Sequence, residues 1–216
     1  MTGYEHIEHT FAPVYDADSL VLILGTLPSV KSRENHFYYG HKQNRFWKVM
    51  ADLCGEPVPE TIEEKKKMLL AHHIAVWDVI QSCDIKGSSD SSIRNVEPTD
   101  IRRILAESQI TRIYANGNKA GELYRKYQLP LTGIEATVLP STSPANAAWR
   151  LESLCEVWRE TIVQKMKVLL TIHEMFYIIY EMIPKVSKAK GDYRIEQTAH
   201  LIRMRGLFLY MAYSKI

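Results

Sequence analysis

The sequence contains little cysteine and no cluster of residues that bind transition metals. Only three of its 216 residues are cysteines. Cys54, Cys83 and Cys155 are widely separated, odd in number and outside any Cys-x-x-Cys pattern. These features argue against a disulfide framework, a structural zinc site and an iron–sulfur cluster. We therefore expect a protein of a reducing compartment, the cytoplasm, that uses no metal and no other cofactor.

Signals for export, membrane insertion and nucleotide-phosphate binding are also lacking. The first 18 residues are polar and have no apolar centre of the kind found in a signal peptide. Residues 166–183 and 195–213 are apolar, but they contain charged side chains that would be unfavourable at the centre of a bilayer. No complete glycine-rich phosphate-binding pattern occurs. We expect no association with membranes.

Charge is nearly balanced, with a formal net value of +2, but it is unevenly distributed. Residues 1–163 contain 18 Lys and Arg against 21 Asp and Glu, whereas residues 164–216 contain 9 against 4. The first part of the chain therefore has no strongly basic surface for coating long nucleic acids. One short stretch is basic, with Glu34 as its only acidic residue: Lys31, Arg33, Lys42, Arg45 and Lys48. Such a loop suits contact with a few phosphates.

Short apolar runs alternate with amphipathic segments through the first 163 residues. The runs predict strands at 20–24, 73–77, 110–115 and 134–139. Helical spacing predicts helices at 45–53, 61–72, 100–108, 119–127 and 147–163, with Thr99 as the N-cap of the third. This alternation predicts an α/β fold, a three-layer sandwich around a central four-stranded parallel sheet. We expect residues 82–95 to form a polar loop, and residues 164–216 to form a helical C-terminal extension outside this α/β domain of residues 1–163.

Two loops of distinctive composition follow predicted strands. The first begins with Gly25-Thr26-Leu27-Pro28-Ser29 and leads to Asn44-Arg45-Phe46-Trp47. The second is Leu139-Pro140-Ser141-Thr142-Ser143-Pro144-Ala145-Asn146. Because ligands bind beyond the carboxyl ends of parallel strands, we expect both loops to meet at one rim, within reach of Asp78. Aromatics, an amide and cations in one loop, with small hydroxyl residues and prolines in the other, suit a base, a sugar and phosphates.

These motifs resemble those of the uracil-DNA glycosylase superfamily, and most closely those of its hypoxanthine-DNA (deoxyinosine) glycosylase branch. Residues 75–79 and 87–90 also resemble that branch, and the resemblance covers about residues 8 to 160. It implies an enzyme that flips a deaminated base, most of all hypoxanthine, out of DNA and releases it by hydrolysis. The partner would be DNA containing such a base, and we expect a monomer. No lysine is marked as a nucleophile, so a monofunctional hydrolase is expected.

The resemblance assigns catalytic roles within the first loop. Most uracil-cleaving branches carry Asn or Asp directly after the first glycine or two places on, where this sequence has Thr26 and Leu27. The hydrolytic amide is therefore expected from Asn44, which would either orient the water or hold the base edge. Gly25 would let the backbone pass close to the sugar and base. His41 could donate a hydrogen bond to the departing purine.

Binding roles fall to both loops. Thr26, Leu27, Pro28 and Ser29 would line the substrate site. Among the aromatics Phe37, Tyr38 and Tyr39, we favour Tyr39 for stacking on the base. The residues expected to contact DNA are Lys42, Arg45, Ser141, Thr142, Ser143, Pro144, Ala145 and Asn146, with the last few forming a stiff tip suited to the minor groove.

Several alternatives remain open at the level of sequence. Asn44 could be a simple helix cap, the aromatics could be core, and residues 141–146 could only cap the following helix. The preferred base could be uracil or xanthine. The protein could also be a catalytically silent DNA-damage-binding protein, or an α/β enzyme acting on free nucleotides or nucleosides.

Overall fold

The computed structural model describes residues 3–87 and 89–162 of the chain. The strands are β1 Glu5–Glu8, β2 Val21–Gly25, β3 Ile74–Asp78, β4 Ile80–Ile85, β5 Arg94–Pro98, β6 Arg112–Asn116 and β7 Ala136–Leu139. The helices are α1 Val30–Glu34, α2 Phe46–Cys54, α3 Ile62–Ala71, α4 Arg102–Glu107, α5 Asn118–Tyr127 and α6 Leu129–Thr132. Helix α7 begins at residue 151 and is described to residue 162. The predicted extension 164–216 and its boundary lie outside the described residues.

The predicted four-stranded parallel sheet is confirmed, with the strand order β3-β2-β6-β7. Strand β2 lies between two neighbours and all five of its residues are buried, which explains its unbroken apolar sequence. The register sets Gly25 beside Asp78. It also sets Asn116 beside Leu139. Strands β2, β3 and β6 therefore end at the same level. Their last residues, Gly25, Asp78 and Asn116, can reach one rim of the sheet.

A second sheet was not predicted from the sequence. Strands β1, β4 and β5 form a three-stranded antiparallel sheet, so the prediction of a polar loop over residues 82–95 is wrong. Polar pairs connect its strands: Ser82 Oγ donates to Glu97 Oε2 at 3.0 Å, and Asn95 Nδ2 donates to Asp84 Oδ2 at 2.6 Å. Register shifts within the β4–β5 pair interrupt the alternation of inward and outward residues, so these strands carry no regular alternating apolar pattern.

Helix α3 begins as its sequence predicts. The Thr61 hydroxyl accepts a hydrogen bond from the Glu64 N–H, and the Glu64 carboxylate accepts one from the Thr61 N–H. Backbone N–H groups of Thr61 and Glu60 hold the pKa of Glu64 below its usual value. This reciprocal pair is a capping box, and it satisfies two N–H groups that the first helical turn leaves free.

Two other helix starts differ from the predictions. Thr99 does not cap α4, because its hydroxyl donates to the Asp78 carbonyl oxygen at 2.9 Å, and the helix begins at Arg102. Helix α7 begins at residue 151 rather than 147. Trp158 on α7 is fully buried, and its indole N–H donates to the Pro140 carbonyl oxygen at 3.0 Å. Helix α7 thereby fixes the base of the second loop.

The core lies between the two sheets and the helices packed on them. Helix α3 packs on β3, and α5 packs on β6 and β7. One buried cluster joins Leu22 and Leu24 of β2 with Ile80 and Cys83 of β4 and with Ile104 of α4. Of the helices described, none is both long enough and apolar enough to cross a membrane.

Candidate active site

The carboxyl ends of the parallel strands open into a cavity of about 500 Å³. Gly25, Asp78 and Asn116, which end β2, β3 and β6, line it together with both loops. Most residues predicted for the site lie on its wall: Gly25, Thr26, Leu27, Pro28, Ser29, Tyr39, His41, Asn44, Ser141, Thr142, Ser143, Pro144 and Ala145. Lys42, Arg45 and Asn146 do not line it. The volume is in the range of small-ligand pockets.

Gly25 is required by the close approach of a buried carboxylate. A methyl group at this position would lie 2.1 Å from Asp78 Oδ1 and 3.2 Å from the Tyr39 hydroxyl. Asp78 is almost fully buried, and its Oδ2 lies 3.1 Å from His9 Nε2, which is equally buried. The floor of the cavity therefore carries a carboxylate held in place from behind, with one oxygen over the Gly25 backbone.

The Tyr39 ring has one face occupied by the protein itself. It stacks on Phe46 at a centroid distance of 3.7 Å and an interplanar angle of 16°. Its φ of 53° is uncommon for a residue other than glycine, and its hydroxyl is buried without a well-formed hydrogen bond to any described residue. Burial, with a smaller contribution from the nearby Asp78 carboxylate, raises the pKa of this hydroxyl. Tyr39 thus stays neutral and can offer at most its second face and its edge to a ligand.

The other two aromatics considered for stacking belong to the core. Phe37 and Tyr38 are 5% and 2% exposed. Phe37 stacks on Trp47, and the Tyr38 hydroxyl donates to the Ala12 carbonyl oxygen at 3.1 Å. Phe46 and Trp47 are also buried, as is typical of the inward face of an amphipathic helix.

Asn44 links the first loop to the second at the wall of the cavity. Its Oδ1 accepts hydrogen bonds from the Phe46 N–H and from the Thr142 hydroxyl, both at 3.0 Å. Its backbone N–H donates to the His41 carbonyl oxygen at 2.8 Å. Asn44 therefore helps to cap α2 and faces the cavity at the same time, so these two interpretations are compatible.

His41 is exposed at the mouth of the cavity. Its Nδ1 accepts a hydrogen bond from the Gln43 N–H at 3.2 Å. Because a backbone N–H can only donate, the neutral imidazole carries its proton on Nε2. The ring therefore presents a hydrogen-bond donor to the solvent side.

Arg45, which was expected to contact DNA, is hydrogen-bonded to the second loop in the structure. Its guanidinium donates to the carbonyl oxygens of Thr142 at 3.2 Å, Ser143 at 2.6 Å and Asn146 at 3.0 Å, and also to that of Trp149. Its backbone N–H donates to the Thr142 carbonyl oxygen at 3.1 Å. These contacts join the two loops, and those of the guanidinium use four of its five N–H donors. The expected DNA contact of Arg45 remains a prediction, and the structure gives this residue an internal task.

The Thr142 hydroxyl is not exposed in this structure. The residue is completely buried, and its hydroxyl accepts from Asn116 Nδ2 at 2.9 Å and donates to Asn44. The expected DNA contact of Thr142 remains a prediction, and in this structure its hydroxyl accepts one hydrogen bond and donates another within the protein.

The rest of the second loop forms a compact turn with an exposed tip. Ser141 Oγ accepts from the Ser143 N–H at 3.2 Å, Ser143 Oγ from the Ala145 N–H at 3.3 Å, and Asn146 Nδ2 donates to the Ser141 carbonyl oxygen at 2.9 Å. Pro144 and Ala145 are exposed. The hydroxyls and the amide shape the turn, and the small apolar residues lie at its end.

Comparison with known proteins places this architecture in a family. The model of the uracil DNA glycosylase superfamily matches residues 12–162. The chain belongs to this superfamily.

Individual relatives of this glycosylase agree with that assignment. A hypoxanthine DNA glycosylase of Methanosarcina acetivorans is 38% identical over 144 residues, which are 65% of this chain and 89% of the relative. One of Methanosarcina barkeri is 33% identical and covers 69% and 94% respectively. A solution structure described as a candidate uracil DNA glycosylase of M. acetivorans superposes with a TM-score of 0.59 at 35% identity. The match covers 69% of this chain and 95% of the chain in that solution structure.

The glycosylase site also contains residues to which the sequence gave no role. Asn116 holds Thr142 by two hydrogen bonds, and Lys119 contributes a cation to the cavity wall. Asp78 was only noted as being within reach. The signal that could have found Asp78 and Asn116 is a polar residue at the carboxyl end of a central strand.

Elsewhere, the part of the glycosylase that is described offers no comparable site. No group of three or more His, Cys, Asp or Glu residues in that part could hold a metal ion. A shallower depression of about 720 Å³ lies beside α2 and α7, where Arg159 is paired with Asp52. Its only guanidinium is thus held by Asp52, and the other charged groups of its lining, Lys48, Glu56, Glu152 and Glu156, are mostly acidic, which does not suit a nucleic acid.

Proposed function

We propose that this protein is a monofunctional DNA glycosylase that releases a deaminated base, above all hypoxanthine, by hydrolysing the N-glycosidic bond to deoxyribose. The observation that carries the proposal is Asn44, an amide fixed at the junction of both loops on the wall of the cavity. The two relatives that are named hypoxanthine DNA glycosylases support the choice of base.

The reaction requires the target nucleotide to leave the duplex. Extrusion costs a few kcal/mol and is easiest at a mispaired base. Glycosidic cleavage develops positive charge on the sugar and negative charge on the departing base, so donors aimed at the base accelerate it. Asn44 and the Nε2–H of His41 are donors beside the cavity, and they suit this task.

Asp78 supplies a reason for rejecting adenine and cytosine, the parents of hypoxanthine and uracil, but not guanine, which carries the same ring N–H as xanthine. Hypoxanthine, xanthine and uracil carry a ring N–H next to a carbonyl, whereas adenine and cytosine have an unprotonated ring nitrogen at that place. A carboxylate at the cavity floor accepts a hydrogen bond from the former and repels the lone pair of the latter. A site built to pair with an N–H strongly rejects a base that lacks it.

The exposed tip of the second loop would contact the duplex. Pro144 and Ala145 are small, apolar and held on a stiff turn, which suits insertion into the minor groove next to the extruded nucleotide. Lys42 is exposed beside the cavity and would contact a phosphate, as would Ser29 at its edge. We further propose a monomer acting in the cytoplasm, where its three free thiols would stay reduced.

Single-turnover base release tests the proposal. Duplexes with one hypoxanthine, xanthine, uracil, adenine or cytosine are incubated with excess wild-type protein, Asn44→Ala, or Gln43→Ala as a matched control. Gln43 is the neighbouring exposed amide and lies outside the cavity wall. We expect wild type and Gln43→Ala to release hypoxanthine fastest. Asn44→Ala should be slower by about 10²-fold or more while still binding the duplex.

Other outcomes select the alternatives. Faster release of uracil or xanthine than of hypoxanthine would change the preferred base. Binding of damaged duplex without release of any base would indicate a catalytically silent damage-binding protein. Equal release from a free deoxynucleoside would indicate an enzyme for free nucleosides, in which the tip of the second loop has no role.

A further inference from the structure

Two backbone N–H groups determine how the amides around the cavity are oriented. The Phe46 N–H lies 3.0 Å from the side-chain oxygen of Asn44, and the Thr142 N–H lies 2.9 Å from the side-chain oxygen of Asn116. A backbone N–H can only donate, so both accepting atoms must be amide oxygens. The usual ambiguity between oxygen and nitrogen in Asn side chains is thus resolved by the main chain.

The direction of the remaining hydrogen bonds then follows. Asn116 Nδ2 must be the donor in its 2.9 Å contact with the Thr142 hydroxyl oxygen. The hydroxyl proton of Thr142 is left to point at Asn44 Oδ1, at 3.0 Å. Thr142 is completely buried and Asn116 is 9% exposed, so solvent has little opportunity to replace these bonds. The chain of donors runs in one direction, from Asn116 through Thr142 to Asn44.

This chain determines the chemistry that Asn44 has left to offer. Its oxygen already accepts two hydrogen bonds, which is its usual capacity. No described residue accepts a hydrogen bond from its Nδ2. Asn44 lines the cavity, so its uncommitted group is an NH₂ donor rather than an acceptor.

We propose that Asn116 is a positioning residue that acts through Thr142 to hold Asn44 as a hydrogen-bond donor to the departing base. This inference rests on the proposed glycosylase function. A donor can take up negative charge as it develops on the base, but it cannot orient the attacking water by accepting the water's proton. Asn44 therefore assists departure of the base, and the water is oriented by another group.

Three substitutions separate this role from simple packing. Thr142→Val keeps the shape but removes the hydroxyl. Thr142→Ser, the matched control, keeps the hydroxyl. Asn116→Asp keeps the oxygen that accepts from the Thr142 N–H, but it turns the donor into an acceptor. The Thr142 proton is then drawn toward residue 116 and Asn44 is released.

We expect the rate of base release to fall while the affinity for damaged duplex stays nearly unchanged. Thr142→Val and Asn116→Asp should slow single-turnover release of hypoxanthine by about 10²-fold, the usual effect of misplacing a reacting group. Their Kd for damaged duplex should change by less than about 3-fold, because the donor acts on charge that develops only in the transition state. Thr142→Ser should stay within about 3-fold of wild type in both. In the Asn44→Ala background, Thr142→Val should cause no further loss.

Each contrary result overturns a different statement. A rate for Thr142→Val equal to that of Thr142→Ser would refute the positioning role, as would independent losses in the double variant. The hydroxyl proton of Thr142 provides a readout that needs no activity. By NMR it should exchange slowly in wild type, and it should exchange faster in Asn44→Ala and in Asn116→Asp. Slow exchange with no release of any base would refute the glycosylase function and leave the hydrogen-bond chain intact. Fast exchange in wild type would refute the chain itself.

Discussion

Replacing Arg45 with lysine distinguishes the loop-joining task of this residue from a contact with DNA phosphate. The guanidinium donates to four carbonyl oxygens, those of Thr142, Ser143, Asn146 and Trp149. A lysine ammonium is equally charged, but its donors sit on one nitrogen and cannot reach acceptors spread over residues 142–149. Arg45→Lys should therefore keep a phosphate contact and lose the connection between the loops.

The magnitude follows from the number of bonds lost. Each hydrogen bond from a charged donor contributes on the order of 1.5–3 kcal/mol when well buried, and at least two of the four bonds should be lost. Arg45 is only partly buried, so water compensates for some of this loss. We expect the free energy of unfolding to fall by about 2 kcal/mol. This corresponds to a decrease in Tm of roughly 4–8 °C for a chain of this size.

Urea denaturation and thermal melting measure this change, with Lys42→Gln as a control that removes an exposed neighbouring cation. Lys42→Gln should leave stability unchanged. The salt dependence of duplex binding is measured in parallel. The reasoning is refuted if Arg45→Lys is as stable as wild type while Arg45→Gln lowers the slope of log Kd against log salt by about one. That pair of results is expected of a phosphate contact.

Two further substitutions test the floor of the cavity and the partly buried thiol of Cys54. Gly25→Ala should lower the free energy of unfolding by about 1–3 kcal/mol and displace Asp78, because its methyl would lie 2.1 Å from Asp78 Oδ1. Gly3→Ala, where the added methyl has no neighbour within 4 Å, is the control, and equal stability of the two variants in urea melts would contradict the overlap. Burial, with a smaller effect of Glu56, raises the pKa of the Cys54 thiol from 9.0 to about 12. The folded protein therefore retains a proton that the unfolded chain loses, so the stability from Cys54 is complete below pH 9 and is lost as the pH rises toward about 12. Urea melts across this range should show a shallower decline for Cys54→Ala, and an unchanged decline would exclude Cys54 as a cause.

The elements that could be predicted are those whose own residues show whether the element is buried or where it begins. Strand β2 is buried on all sides, so its apolar run identifies it without reference to any partner. Helix α3 contains both halves of its capping box within four residues of sequence. The two loops could likewise be placed at one rim, because parallel strands with intervening helices direct their carboxyl ends to the same edge.

The elements that could not be predicted depend on partners far along the chain. Residues 82–95, which include most of β4 and the start of β5, read as a polar loop because the pairs that stabilise these strands join residues of different strands. Threonine is a residue type that commonly caps helices, but the Thr99 hydroxyl donates a hydrogen bond to the carbonyl oxygen of Asp78 instead. A local pattern cannot report such competition, since the stronger partner is brought near only by the folded sheet.

The site shows the same division between what is local and what is not. The sequence by itself determined which residue types would gather at the rim: an amide, a glycine and small hydroxyl residues on two loops. Their tasks were decided by tertiary structure. Arg45 and Thr142 looked like exposed contacts for phosphate, yet folding brings each against groups about a hundred positions away. Hydrogen-bond direction depends on every neighbouring donor and acceptor, and only the assembled loops bring those neighbours together.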